Sequence, residues 1–117
     1  MRAAAINAET LEVTIIDLPR EGGLDTLQAA VGGWVECVSF SDYEMWVNEE
    51  GKLVGLPVNE AATAIWEMEY GATDVIMGNV LMTGIADEDG YSTELSDSAL
   101  MTIEALANTL RLSRSAV

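Results

Sequence analysis

The sequence has no histidine, one cysteine, two prolines and only five basic residues. Each scarcity removes a class of function. Without histidine there is no Ser-His or Cys-His nucleophile pair, and no imidazole to act as a general base near neutral pH. One cysteine with no histidine cannot build the usual zinc shell. Cys37 cannot form an internal disulfide, which fits a reducing compartment. So few cations argue against direct nucleic-acid binding, which needs a basic face to meet phosphates. They also argue against docking on anionic membrane. No apolar run approaches the roughly 20 residues of a membrane span. The N-terminal apolar stretch is too short for a signal peptide, so action in the cytoplasm is expected.

What is present is acid and apolar bulk. The 117 residues carry 20 Asp and Glu, for a net charge of -15, and half of the residues are hydrophobic. That is enough to bury one core and too little for two, so a single domain over 1–117 is expected. The charge is concentrated. Residues 21–110 hold seventeen acids against Lys52 alone, while the arginines lie near the two ends of the chain.

Patterning predicts an α+β fold: a small mixed or antiparallel sheet of about five or six strands with two or three helices. Strands are expected at Arg2–Ile6, Leu11–Leu18, Trp34–Phe40 and Tyr43–Asn48, from alternation and β-branched residues. A hairpin turn at Glu49–Lys52 is expected to lead into a strand over Lys52–Leu56. Val75–Ile85 reads as a long apolar strand broken by Gly78-Asn79. Helices are expected over Leu24–Val31, capped by Gly32-Gly33, from Asn59 to Tyr70, and over about Asp97–Ser113. In the last, Ser96 caps, Leu95 staples onto Leu100, and Leu100, Ile103, Leu106, Ala107 and Leu110 form an apolar stripe.

No catalytic constellation appears, so no catalytic residue and no cofactor are expected. Cys37, in an apolar strand, reads as a small buried hydrophobe rather than a reactive thiol. Asp87-Glu88-Asp89-Gly90 is the best local cation candidate. Placing Gly90 at the sixth position of a calcium loop puts Ile85 first and Ser96 twelfth, so the match fails and a solvated acidic turn remains.

Three features go beyond plain folding. Gly32-Gly33-Trp34 followed by Glu36 has one glycine more than a cap needs. The second admits close backbone approach by a ligand, with Trp34 as a stacking platform; otherwise the stretch is a turn and a core tryptophan. Pro57, Asn59 and Thr63 open a helix whose free N–H groups suit an anion; otherwise they are a cap and a small packing face. Gly78-Asn79 interrupts a strand, where glycine admits close approach; otherwise it is a bulge. Small residues, amides and an aromatic together suit a small polar or nucleotide-like ligand.

At these residues the chain resembles a known family. Gly32-Gly33-Trp34-Val35-Glu36, Asn48-Glu49-Glu50-Gly51-Lys52, Gly55-Leu56-Pro57-Val58-Asn59 with Ala62-Thr63, and Ile76 through Gly78-Asn79-Val80-Leu81 are similar to the domain-of-unknown-function family numbered 3846. The resemblance covers about residues 2–85. It implies a small protein of phages, plasmids or other mobile elements, acting in the cytoplasm of a host bacterium. It carries no activity over to this chain.

Two binding functions follow as expectations. The first is a non-enzymatic counter-defence protein that sequesters a small nucleotide-like ligand or signal, expected as a homo-oligomer. The alternative is an acidic DNA mimic that occupies the basic groove of a host nuclease or restriction factor. An enzyme using metal held by carboxylates is a second alternative.

Overall fold

The first strand, β1 (Arg2–Ile6), is built almost wholly from alanine and isoleucine. Its small side chains let it sit deep in a sheet with both faces covered. The computed structural model describes residues 1–115 and contains seven further elements. They are β2 (Val13–Asp17), α1 (Gly23–Val31), β3 (Val35–Ser39), β4 (Glu44–Asn48), α2 (Glu60–Tyr70), β5 (Val80–Thr83) and α3 (Asp97–Ser115). The strands form one antiparallel sheet in the order β2-β1-β5-β4-β3. The fold is α+β, as expected, with β2 and β3 as its two edges.

Strand alternation divides the apolar residues between two faces. Ala4, Ile6, Met45, Val47, Val80 and Met82 face α2 and α3, joining Ile65, Ile103 and Ala107 in the larger core. Ala3 and Leu81 face the other way and pack with Leu18 and with Leu27 of α1. The continuous apolar run Val80–Thr83 is thereby explained, because β5 is buried on both faces.

Capping follows the sequence closely. Gly32 takes a left-handed φ of 76° and ends α1, its N–H donating to the carbonyl of Gln28. Asn59 caps α2 and Ser96 Oγ accepts from Ala99 N–H at the start of α3. The apolar stripe of α3 packs on the larger core, with Leu95 fully buried just before the helix.

Three expectations are corrected. Leu11 does not start a strand: it is buried at φ 60°, closing a loop in which Asn7 Oδ1 accepts from Glu9 and Thr10 N–H, and pairing begins at Val13. The hairpin at Glu49–Lys52 does not form. β4 already has partners on both sides, so Lys52–Leu56 has no edge to join and runs as turns with Leu53 87% exposed. The strand expected over Val75–Ile85 shortens to Val80–Thr83, because Gly78 adopts φ 91° and turns the chain before the sheet. No described helix is long and apolar enough to cross a membrane.

Candidate functional site

A concavity with a mixed polar and apolar lining lies at the β3 edge. It is a cleft of about 480 Å³ between β3–β4, the C-terminal half of α2 and residues 74–77. Trp66 and Tyr70, four apart on α2, share a helical face and line it. Their rings lie 4.4 Å apart, and Phe40 stands 5.6 Å from Tyr70. Trp66 Nε1 donates to Thr73 Oγ1 at 3.0 Å, and the Tyr70 hydroxyl donates to the Ser39 carbonyl on β3. The second bond fixes the aromatic wall against the sheet, and the first ties it to the turn after α2. Val38 and Val47 contribute apolar surface beneath it.

The charged lining is acidic. Glu36 and Glu49 border the cleft and have no ion-pair partner among the described residues. Lys52 is the only cation there, and it pairs with Asp74. That contact holds the Asp74 carboxyl below the ordinary carboxylate range, with help from the Val75 N–H. At the β3–β4 connection, Asp42 and Glu69 flank Tyr43, whose phenol is pushed up first by burial and then by those two carboxylates. Elsewhere three of the four arginines are spent on structural ion pairs. Arg2 pairs with Asp97, Arg20 with Asp87, and Arg114 with Glu60.

The residues singled out in the sequence are dispersed. Gly32 caps α1. The extra glycine, Gly33, makes room for protein rather than ligand: a Cβ there would lie 2.9 Å from Asn48 Nδ2, which donates to the Val31 carbonyl at 3.1 Å. Trp34 is 67% exposed, a correction to its reading as a core residue, and it lies outside the cleft lining. Glu36 is the one predicted site residue that borders the cleft.

Pro57, Asn59, Thr63 and Gly78 do converge, but inward. Pro57 carbonyl accepts from Gly78 N–H at 2.7 Å. Asn59 is 0% exposed, and its amide donates to the Ile6 and Gly78 carbonyls while its oxygen accepts from Ala62 N–H. Thr63 Oγ1 accepts from Ile76 N–H at 3.0 Å. Gly78 is needed for its left-handed φ of 91°, and a Cβ there would also press on the end of the Leu56 side chain at 2.7 Å. Asn79 Oδ1 accepts from Ala8 N–H. Together these groups form a polar knot joining α2, β1 and the approach to β5. The helix N-terminus is closed by its own cap.

Cys37 is corrected from buried to exposed, because β3 is an edge strand. It is still a poor nucleophile. Partial shielding, a hydrogen bond to Glu44 and that carboxylate's charge push the thiol up to about 12. In the Asp87–Gly90 turn, Asp87 accepts from Asp89 and Tyr91 N–H and from Arg20, so its oxygens are occupied internally. Among the described residues no group of three or more Cys, Asp and Glu is arranged to hold a metal.

Sequence reading missed Trp66, Tyr70 and Asp74 as site residues, while Glu49 and Lys52 entered it only through the acidic-turn motif of the family resemblance. The signal it had was the aromatic pair at four-residue spacing on α2; nothing local placed that pair beside β3.

Residues 1–108 match the family described as a domain of unknown function, DUF3846, and the chain belongs to that family. The match extends past the expected limit near residue 85 into α3. No curated protein and no solved structure matches the chain.

Proposed function

We propose that this DUF3846 protein is a non-enzymatic binding protein whose partner is a basic protein surface, engaged through the acidic cleft at the β3 edge. The observation that carries this reading is the lining of that cleft. Glu36 and Glu49 lie unpaired beside an aromatic wall, and the only local cation is tied to Asp74. A cation entering there gains two carboxylates and an aromatic face. An anion meets repulsion from both. Sequestration of a nucleotide-like ligand is therefore the second reading, favoured by one observation: a volume of about 480 Å³ falls in the range of small-molecule sites. Counter-defence in the cytoplasm of a phage-infected bacterium is the biological setting proposed for either reading, by analogy with small acidic proteins of mobile elements. A basic nuclease or restriction factor is then the natural partner class.

The test compares the wild-type chain with a Glu36→Gln, Asp42→Asn, Glu49→Gln, Glu69→Gln variant for inhibition of purified host nucleases. Inhibition that weakens steeply with salt and is lost in the variant supports the reading. Equal inhibition by the variant overturns it. A nucleotide released by denaturing protein that had been incubated with host extract selects the second reading.

A further inference from the structure

We propose that the free edge of β3 accepts an extended basic peptide segment of the partner as a sixth antiparallel or parallel strand, with alternate side chains entering the acidic cleft. This rests on the binding reading above and specifies its geometry.

Hydrogen-bond polarity along β3 supplies the argument. Trp34 carbonyl accepts from Glu49 N–H, and Phe40 N–H donates to the Tyr43 carbonyl. In an antiparallel ladder the bonding direction alternates residue by residue. The even positions, Trp34 through Phe40, therefore bond inward to β4. The odd positions Val35, Cys37 and Ser39 turn their N–H and C=O groups away from the sheet. The hydroxyl of Tyr70 reaches the Ser39 carbonyl from outside, as this polarity requires. Val35 and Cys37 present donors and acceptors at the sheet's outer edge, where among the described residues no strand pairs with them.

Natural edges are commonly guarded by proline, lysine or a bulge. β3 has none of these. Its sequence is Val-Glu-Cys-Val-Ser, and its register with β4 is unbroken from Val35↔Asn48 to Ser39↔Glu44. Cys37 and Ser39 border both this edge and the cleft, so a strand laid along the edge places every second side chain at the cleft mouth. There it meets Glu36 and the Trp66–Tyr70 wall, which fits lysine or arginine.

The same charge disfavours a second copy as the occupant. Pairing two β3 edges would set two acidic clefts side by side on chains of net charge -15. A basic segment of another protein replaces that repulsion with attraction, while its main chain supplies the bonds.

The experiment uses the full chain and two acetylated, amidated octapeptides of equal charge. One alternates lysine with valine. The other has two valines replaced by proline, which keeps the charge and prevents strand pairing. Binding is read by calorimetry, and amide hydrogen exchange by NMR. The proposal expects the alternating peptide to bind at least about tenfold tighter than the proline peptide. It also expects new protection at the Val35 and Cys37 amides, while Glu36 and Val38 are slow to exchange with or without peptide. Cys37→Pro, a change that edge strands tolerate, should lose the preference between peptides while keeping its melting transition. Equal binding of both peptides, without protection at the odd amides, overturns strand addition and leaves the acidic binding surface standing. Binding of neither peptide overturns both.

Discussion

Asn59 donates an amide N–H to the carbonyl of Ile6 across 3.1 Å, although 53 positions separate them in the chain. The same nitrogen reaches the Gly78 carbonyl at 3.0 Å, and the side-chain oxygen takes the Ala62 N–H at 3.0 Å. One buried side chain thus joins the end of β1, the start of α2 and the approach to β5. It does so through direct bonds, wholly shielded from solvent.

Asn59→Ala should therefore act on stability. It removes three buried hydrogen bonds, and each backbone group left unsatisfied costs about 1–3 kcal/mol. A loss of about 3 kcal/mol or more is expected in denaturant unfolding. Partner binding per folded molecule should be unchanged. A variant that melts like wild type but loses binding would return Asn59 to the list of ligand contacts.

Glycine substitutions should rank by what surrounds them. A Cβ at Gly84 would collide with the Glu94 carbonyl and the Thr93 hydroxyl, in a segment whose backbone is already bonded to Gly84. At Gly33 it would meet the end of the Asn48 side chain, which can shift. Gly84→Ala should cost about 3 kcal/mol and Gly33→Ala about 1 kcal/mol, read as changes in the urea midpoint. The reverse order would contradict the packing.

Cys37 should be slow to alkylate despite its exposure. With its thiol raised to about 12, the thiolate is scarce at pH 8, and labelling by iodoacetamide should run at least about tenfold slower than in the unfolded chain. Glu44→Gln removes the hydrogen-bonded charge and should speed it. The linkage has a definite sign. The unfolded thiol ionises near 9.0 and the folded one near 12, so the folded state loses stability as pH rises between them. Cys37→Ser should flatten that alkaline decline.

Acid should loosen the cleft before it unfolds the core. The Asp74 carboxyl is held below its ordinary range, first by Lys52. A depressed carboxyl contributes stability that is complete above its unfolded pKa and is lost as pH falls through the lower folded value. The contact is at the surface, so its loss should release the 51–54 turn rather than the sheet. Trp66 fluorescence should change below pH 4 in wild type, and Asp74→Asn should show the acid-side signal already at pH 7.

Much of the fold was legible because its signals are local. Gly32 and Gly71 after α1 and α2, Asn59 and Ser96 before α2 and α3, and the α3 stripe all depend on neighbours within one or two turns. The acidic block was equally visible as bare composition. The strand expected at Lys52–Leu56 shows the limit. Its apolar residues and the preceding Gly51 suit a hairpin, but β4 has no free side to offer, and vacancy in a sheet is a property of the other strands.

The candidate site illustrates the same division. Sequence alone determined that this chain is acidic, lacks imidazole chemistry and contains paired strands and capped helices, because these follow from residue types and short-range sterics. It also located small residues and amides where backbones approach closely. Only tertiary structure decided what approaches. Asn48 takes the space at Gly33, Leu56 the space at Gly78, and Ile6 the amide of Asn59. Close approach has one local signature whether the neighbour is ligand or protein. Which it is depends on contacts between residues far apart in the chain, and those placed the open surface beside Glu36, Trp66 and Tyr70 instead.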